Sequence, residues 1–270
     1  MNLTPLRQFV NHSIVGYGVE ALSYCSFPFS EKKSPKKKFV LFSSGRAGST
    51  LLVKLLDNHS LIHCEGEILR RKMLNPYTYI ERCSQITENS VFGFKLLSYQ
   101  LQEIQTKEGQ GRFLQNLVED GFQIVYLERK NILRQALSVM YGYHRDQWHV
   151  KKGQSLNATK MKIDPVALRD WMDGIEALKA YEKKVIEVLP HLHIVYEEDL
   201  SIPEQQSITV ETVTDFLELP NEKVKSNLKR VTPKNLSSFV ENVDEVINFL
   251  GASRYHRYLE SLNNPIKTSG

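Results

Sequence analysis

The stretch Phe39 to Leu56, FVLFSSGRAGSTLLVKLL, limits most strongly what this chain can become. Four apolar residues lead into Ser-Ser-Gly-Arg-Ala-Gly-Ser-Thr, and that turn leads into Leu-Leu-Val-Lys-Leu-Leu. Such a pattern makes a buried strand, a tight loop and a helix start. The first turn of a helix carries unpaired N–H groups and a partial positive charge, so the loop suits a phosphate or a sulfate. Gly45 and Gly48 let the backbone curl towards an anion. Ser49 and Thr50 can cap the helix and donate hydroxyls, and Arg46 adds a planar fork of donors.

The loop departs from the nucleoside-triphosphate pattern G-x-x-x-x-G-K-[ST]. Aligned on Gly48 and Thr50, it has Ser43 for the first glycine and Ser49 for the lysine. The third apolar run ends Leu127-Glu128-Arg129 rather than in an aspartate suited to magnesium. A triphosphate with its metal is served poorly, and a single terminal anionic group held without metal is served well. A P-loop nucleotide kinase or ATPase is the first alternative, and a catalytically inactive nucleotide-binding module the second.

Runs of strand length occur at 39–43, 91–97, 122–128 and 192–198, with helical patterns between them. Alternation of this kind predicts an α/β fold: one P-loop-like domain with a central parallel sheet flanked by helices. The runs are apolar throughout, as strands buried on both faces are. The longest helical pattern starts after Asp164, its expected cap, with Pro165 as first residue, and Pro190 closes it. Leu168, Trp171, Ile175, Leu178, Val185 and Leu189 are its expected core face. Residues 143–164 are polar and irregular, a candidate flap carrying His144, Arg145, Trp148 and His149, with Trp148 placed to stack on a sugar ring.

The domain runs from 39 to 270, and residues 1–38 read as an accessory arm. The net charge of +4 over 270 residues sits largely in EKKSPKKKF, residues 31–39, so charge makes no case for a nucleic-acid partner. That lysine run beside a weakly amphipathic segment suits either weak contact with an anionic membrane surface or a solvated arm. Cys25, Cys64 and Cys83 fit no metal site and read as free thiols in a reducing compartment. No apolar stretch nears the roughly 18 residues of a spanning helix. A cytoplasmic enzyme is the expectation.

A second cradle follows the run 122–128. There the chain leaves the sheet at its carboxyl end, where open parallel sheets bind ligands. Arg129 stands at that point and Ser138 on the next helix. A pairing of Arg129 with Glu128 at the surface is the alternative.

With these motifs the chain resembles the sulfotransferases that use 3′-phosphoadenosine-5′-phosphosulfate (PAPS), over residues 39 to about 260. SSGRAGSTLL resembles their 5′-phosphosulfate loop, which implies contacts from Arg46, Ala47, Gly48, Ser49, Thr50 and Leu51. VYLERKNILRQALSVM resembles their second signature, which implies that Arg129 and Ser138 grip the 3′-phosphate, with Lys130 able to share or take over the contact. IVYEEDL resembles a later segment whose tyrosine lies by the adenine, here Tyr196. PKNLSSFVENVDEVINFLGASRYHRYL resembles the C-terminal part of bacterial members that sulfate nodulation oligosaccharides and glycolipids. Cytosolic relatives close a basic C-terminal loop on the 3′-phosphate, which implies Arg230, between Lys229 and Lys234.

The resemblance implies PAPS as co-substrate, no metal, and a carbohydrate or glycolipid acceptor. Carbohydrate-sulfating relatives take a base from the stretch NHSLIHCEGEIL, residues 58–69, and GEIL points to Glu67. Glu65, which would share a face with it in an extended chain, and His63 stay open as alternatives. Lys95, at the end of VFGFK, would support the bridging oxygen, or else extend to solvent. Glu67, Lys95 and Arg46 are thus the expected catalytic residues. The motifs specify no oligomeric state.

Overall fold

The computed structural model describes residues 18–22, 34–85, 89–105, 112–145, 150–151, 160–225, 228–229, 232–233 and 235–260. Most of the arm, Cys25, Trp148, His149, Arg230 and Lys234 lie outside them.

Five parallel strands form the central sheet, in the order β2-β3-β1-β4-β6. They are β1 (Lys37–Ser43), β2 (Ile62–Glu65), β3 (Val91–Leu97), β4 (Phe122–Glu128) and, after a two-residue β5 (Val150–Lys151), β6 (His191–Val195). β5 pairs antiparallel with β7 (Leu228–Lys229) outside the sheet. The helices are α1 (Ser49–Asp57), α2 (Pro76–Gln85), α3 (Arg112–Glu119), α4 (Ile132–Arg145), α5 (Pro165–Ile186), α6 (Pro203–Phe216) and α7 (Val243–Gly251). The α/β class expected from alternation is the architecture observed.

Alternate residues of each strand enter different cores, which is why the runs are apolar throughout. Phe39 and Leu41 pack with α1 and α6, in a cluster that includes Leu52, Leu56, Val210 and Val213. Val40 and Phe42 face the other way, among Ile80, Phe113, Leu117 and Val185 of α2, α3 and α5. A third cluster joins α4 and the first half of α5 to the C-terminal segment around Phe239, Leu250 and Tyr255. Phe39 of β1 stands opposite Gly93 of β3, and its ring fills the space over the glycine. A Cβ on Gly93 would run into the Phe39 ring.

Helix α5 begins as expected: the Asp164 carboxylate accepts from the Val166 N–H at 2.9 Å, and Pro165 fills the first position. Leu168, Ile175 and Val185 are buried as expected, while Met172, Tyr181, Glu182 and Ile186 join them. Trp171, Leu178 and Leu189 are only partly buried.

Four local expectations are corrected. Strand β2 was not anticipated, because a four-residue run with alternating burial at the edge of a sheet leaves little periodicity to detect. β6 stops at Val195, and Tyr196–Leu200 turns into a π-helical segment. The Asp199 carboxylate accepts from the Val195 N–H at 2.6 Å and draws the chain out of the sheet. Lys95 is not the strand end, since β3 continues to Leu97. The N-cap of α1 is Gly48 without any side-chain cap, so Ser49 and Thr50 belong to the first helical turn.

Glu182 is a fully buried carboxylate on α5. It accepts from the Tyr126 hydroxyl at 3.1 Å, and Ser98, Lys179, Glu128 and Tyr181 also face it. Burial pushes its carboxyl up to about 7, against the pull of Ser98, Tyr126 and Lys179. An acid whose pKa is raised by folding binds its proton more tightly in the native state. Its contribution is full below about 4.5, the ordinary carboxylate value, and is lost as pH rises through about 7. Glu182→Gln should therefore stabilise the protein at pH 8 relative to wild type by on the order of 1 to 3 kcal/mol. The gain should shrink towards pH 5. Thermal unfolding of both proteins at the two pH values measures it.

Candidate functional site

β1 and β4 are neighbours in parallel register, with Ser43 opposite Leu127. Their carboxyl ends therefore deliver the loop Ser44–Gly48 and the segment from Arg129 to the same place. Strand order reverses direction there: β1 leads to β2 and β3 on one side, and β4 and β6 follow on the other. This is the crevice where open α/β sheets bind ligands.

The loop is wound by two residues with positive φ, Arg46 at 62° and Gly48 at 101°. A non-glycine residue in that region is strained, and such strain gathers at binding loops. Gly48 is required on two counts: its φ, and the Tyr196 ring, into which a Cβ would run. Helix α1 starts here with no acidic residue in its first turn, and among the described residues no side chain caps it.

Arg129 is buried and turned towards the loop. Its Nη1 donates to the Arg46 carbonyl at 3.0 Å. Its guanidinium lies 4.8 Å from the centre of the Tyr196 ring, and its Nε is 3.7 Å from Glu197 Oε1. Lys179 of α5 donates to the Arg129 carbonyl at 2.7 Å. Arg46 Nε in turn donates to Ser138 Oγ at 3.1 Å. Burial lowers the pKa of Arg46, which nonetheless keeps its charge. The structure thus brings Arg46, Arg129, Ser138 and Tyr196 together. The neighbouring Lys130 points elsewhere, with its exposed ammonium on Glu198 at 2.6 Å. Glu128 is not the partner of Arg129: it pairs with Lys179 at 2.9 Å and His193 at 3.2 Å.

On the other flank of the loop, Lys95 is buried rather than extended to solvent. Its ammonium donates to Thr50 Oγ1 at 3.2 Å and pairs with Glu67 Oε1 at 2.8 Å. Glu67 Oε2 also accepts from Gln100 Nε2 at 3.2 Å and from the Tyr99 hydroxyl at 3.4 Å. Glu65 points away from this group, with its carboxylate 3.1 Å from His63 Nε2. The two glutamates do not share a face, because the strand ends at Glu65 and the Gly66 carbonyl is taken by the Lys95 N–H at 3.2 Å. His63 lies with Glu65 and 3.6 Å from Asp57, so of the three candidate bases only Glu67 reaches the residues around the loop.

Several residues at the site were not singled out from sequence. Gln100 is fully buried, opens a π-helical segment (Gln100–Ile104) and orients Glu67. A second such segment carries Tyr196 and Glu197, and short π segments recur at functional sites. Glu197 accepts from the Lys130 and Asn131 N–H groups at 2.9 and 3.1 Å, tying β6 to the start of α4. Thr232 donates to Ser138 Oγ at 3.1 Å, which brings the C-terminal segment to the site two residues beyond Arg230. Gln135 is the least visible of all. It is fully buried on α4, one turn before Ser138, and its Nε2 donates to Ser44 Oγ at 2.9 Å and to the Gly45 carbonyl at 2.6 Å. Its one sequence signal is a polar residue on the same helical face as Ser138.

Gln135 couples the loop after β1 to α4. Gln135→Met keeps the volume and removes both donated bonds. It should destabilise the protein by roughly 1 to 3 kcal/mol, the scale of two lost hydrogen bonds. Gln135→Glu should destabilise it further, since a carboxylate would oppose the Gly45 carbonyl. Thermal unfolding of the three proteins measures both effects.

No protein-family model matches the chain, and no curated protein matches it. Among solved structures, the chain is similar to a sulfotransferase from Alicyclobacillus acidocaldarius, with 14% identity, a TM-score of 0.48, and coverage of 86% of this chain and 95% of that one. It is also similar to a mouse sulfotransferase complexed with PAP, with 16% identity, a TM-score of 0.41, and coverage of 85% and 77%. At these values the likeness carries no chemistry.

Proposed function

We propose that the protein is a sulfotransferase that moves a sulfuryl group from PAPS to a hydroxyl of a carbohydrate or glycolipid acceptor, in the cytoplasm and without a metal. One observation carries the proposal: the hydrogen bond from Arg129 to the Arg46 carbonyl at 3.0 Å. It joins two basic cradles at one rim of the sheet, and PAPS is a nucleotide with an anionic group at each of two ends. The motifs that resemble the family's phosphosulfate loop and 3′-phosphate signature are the ones that meet there.

The charges fit such a ligand. Arg46, Arg129 and Lys95 stand around the loop, while Glu67 and Glu197 are the carboxylates paired with them. The excess is positive, at a helix start without a cap. PAPS would supply the activated sulfuryl group, which is lost to the acceptor as the sulfur–oxygen bond to the 5′-phosphate breaks. The loop N–H groups, Arg46 and Thr50 would hold the phosphosulfate, and Arg129 with Ser138 the 3′-phosphate. Tyr196 would lie by the adenine. Glu67 would take the acceptor's proton as general base. Lys95, which bridges Thr50 and Glu67, would steady charge on the leaving phosphate. Positioning and electrostatics do most of such a reaction. Arg230, next to the segment that reaches Ser138 through Thr232, would add to the 3′-phosphate grip.

Calorimetric titration tests the reading. Adenosine 3′,5′-bisphosphate should bind the wild type, and Arg46→Ala should bind it roughly tenfold to a hundredfold more weakly. Glu67→Gln should keep that affinity and lower turnover of labelled PAPS by about 10²- to 10⁴-fold. If ATP with magnesium stabilises the protein thermally and the bisphosphate does not, a kinase or ATPase replaces this reading.

A further inference from the structure

Beyond Glu67 the chain reads Arg70-Arg71-Lys72. The Arg70 N–H donates to the Glu67 carbonyl at 3.3 Å, so this run begins one turn from the candidate base. Leu69 and Met73 on either side of it are buried. Between them the backbone is gripped by Gln105, also buried: its Nε2 donates to the Leu69 and Arg71 carbonyls at 3.3 and 2.5 Å, and its Oε1 accepts from the Met73 N–H at 3.3 Å. Just beyond, the buried carboxylate of Glu20 accepts from the Leu74 and Asn75 N–H groups at 2.7 and 2.8 Å. The segment is thus pinned at both ends and carries three adjacent cations, Arg70 exposed and Arg71 and Lys72 half-buried.

Four other cations at or near the site have acidic partners. Lys95 is paired with Glu67, Arg129 with Glu197, Lys130 with Glu198 and Lys179 with Glu128. Among the described residues, Arg70, Arg71 and Lys72 form no ion pair and no side-chain hydrogen bond. Three like charges on a fixed backbone repel one another, and an incoming anion relieves that repulsion. The anion is not the donor's 3′-phosphate. Glu67 follows β2 and Arg129 follows β4, three strand spacings apart in the order β2-β3-β1-β4, or roughly 14 Å.

We infer that the acceptor is itself anionic: it carries a carboxylate or phosphate group near the reacting hydroxyl, and Arg70, Arg71 and Lys72 bind that group. This rests on the sulfotransferase reading. The test titrates the protein, with and without adenosine 3′,5′-bisphosphate, with three probes: an oligogalacturonate, a hexose phosphate, and a neutral oligosaccharide matched in length to the oligogalacturonate. At least one anionic probe should bind about tenfold or more tightly than the neutral one, with an affinity that falls as salt rises. The variant Arg70→Gln/Arg71→Gln/Lys72→Gln should lose that preference, yet keep its unfolding temperature and its affinity for the bisphosphate. Which anionic probe wins separates a uronate from a phosphate. Equal binding of neutral and anionic probes, or unchanged anion binding by the triple variant, overturns the inference. So does binding to phosphatidylserine vesicles without binding to either anionic saccharide. Anionic saccharide binding by a wild type that ignores the bisphosphate would instead overturn the donor reading and leave the three cations as an anion site.

Discussion

The Arg129 guanidinium, donating to the carbonyl of Arg46, is the contact on which the rest of the site depends. It links the chain after β1 to the chain after β4, and so turns two separate strand ends into one rim. Burying one arginine and half-burying a second near it is costly unless each is paired or hydrogen-bonded. The structure meets that cost with Glu197, the Tyr196 ring face and Ser138. Glu197 and Tyr196 come from the segment after β6 and Ser138 from α4, so that segment, α4 and the loop are held together by what the cations need.

Much of this was readable in the chain. The runs that became β3 and β4 were found at their full length, since strands covered on both faces leave continuous apolar segments. Arg46 was marked by the glycine spacing of its loop, and Arg129 and Ser138 by a strand end and the helix after it, whereas Tyr196 was suggested by the family resemblance alone. Gln135, Gln100 and Thr232 were not, because their roles exist only after helices and strands far apart in sequence have packed. Lys95 lies inside the run 91–97 rather than at its end, and a half-buried carboxylate partner in Glu67 lets the strand carry it inward. Which of Glu65 and Glu67 meets Lys95 depends on the bend at Gly66, which spacing cannot supply.

Helix α5 serves both the core and the site. Its face with Tyr181, Glu182, Val185 and Ile186 closes the sheet, and Lys179, one turn earlier, holds the Arg129 carbonyl and Glu128. A buried acid and an inward-facing lysine on adjacent turns make this helix the support beneath Arg129. Its apolar spacing predicted the first duty and was silent about the second.

The pairing of Phe39 with Gly93 has a bearing on alignment. Large and absent side chains meet at one rung, and the rungs beside it place Val40 opposite Phe94 and Lys38 opposite Phe92. Sliding β1 by a single residue would drive the Phe39 ring against a phenylalanine and send each inward group to the opposite layer. A missing methyl group therefore acts as a keyway. It sets how far β1 extends past its neighbour, and through that the height at which the loop and Lys95 arrive at a common level.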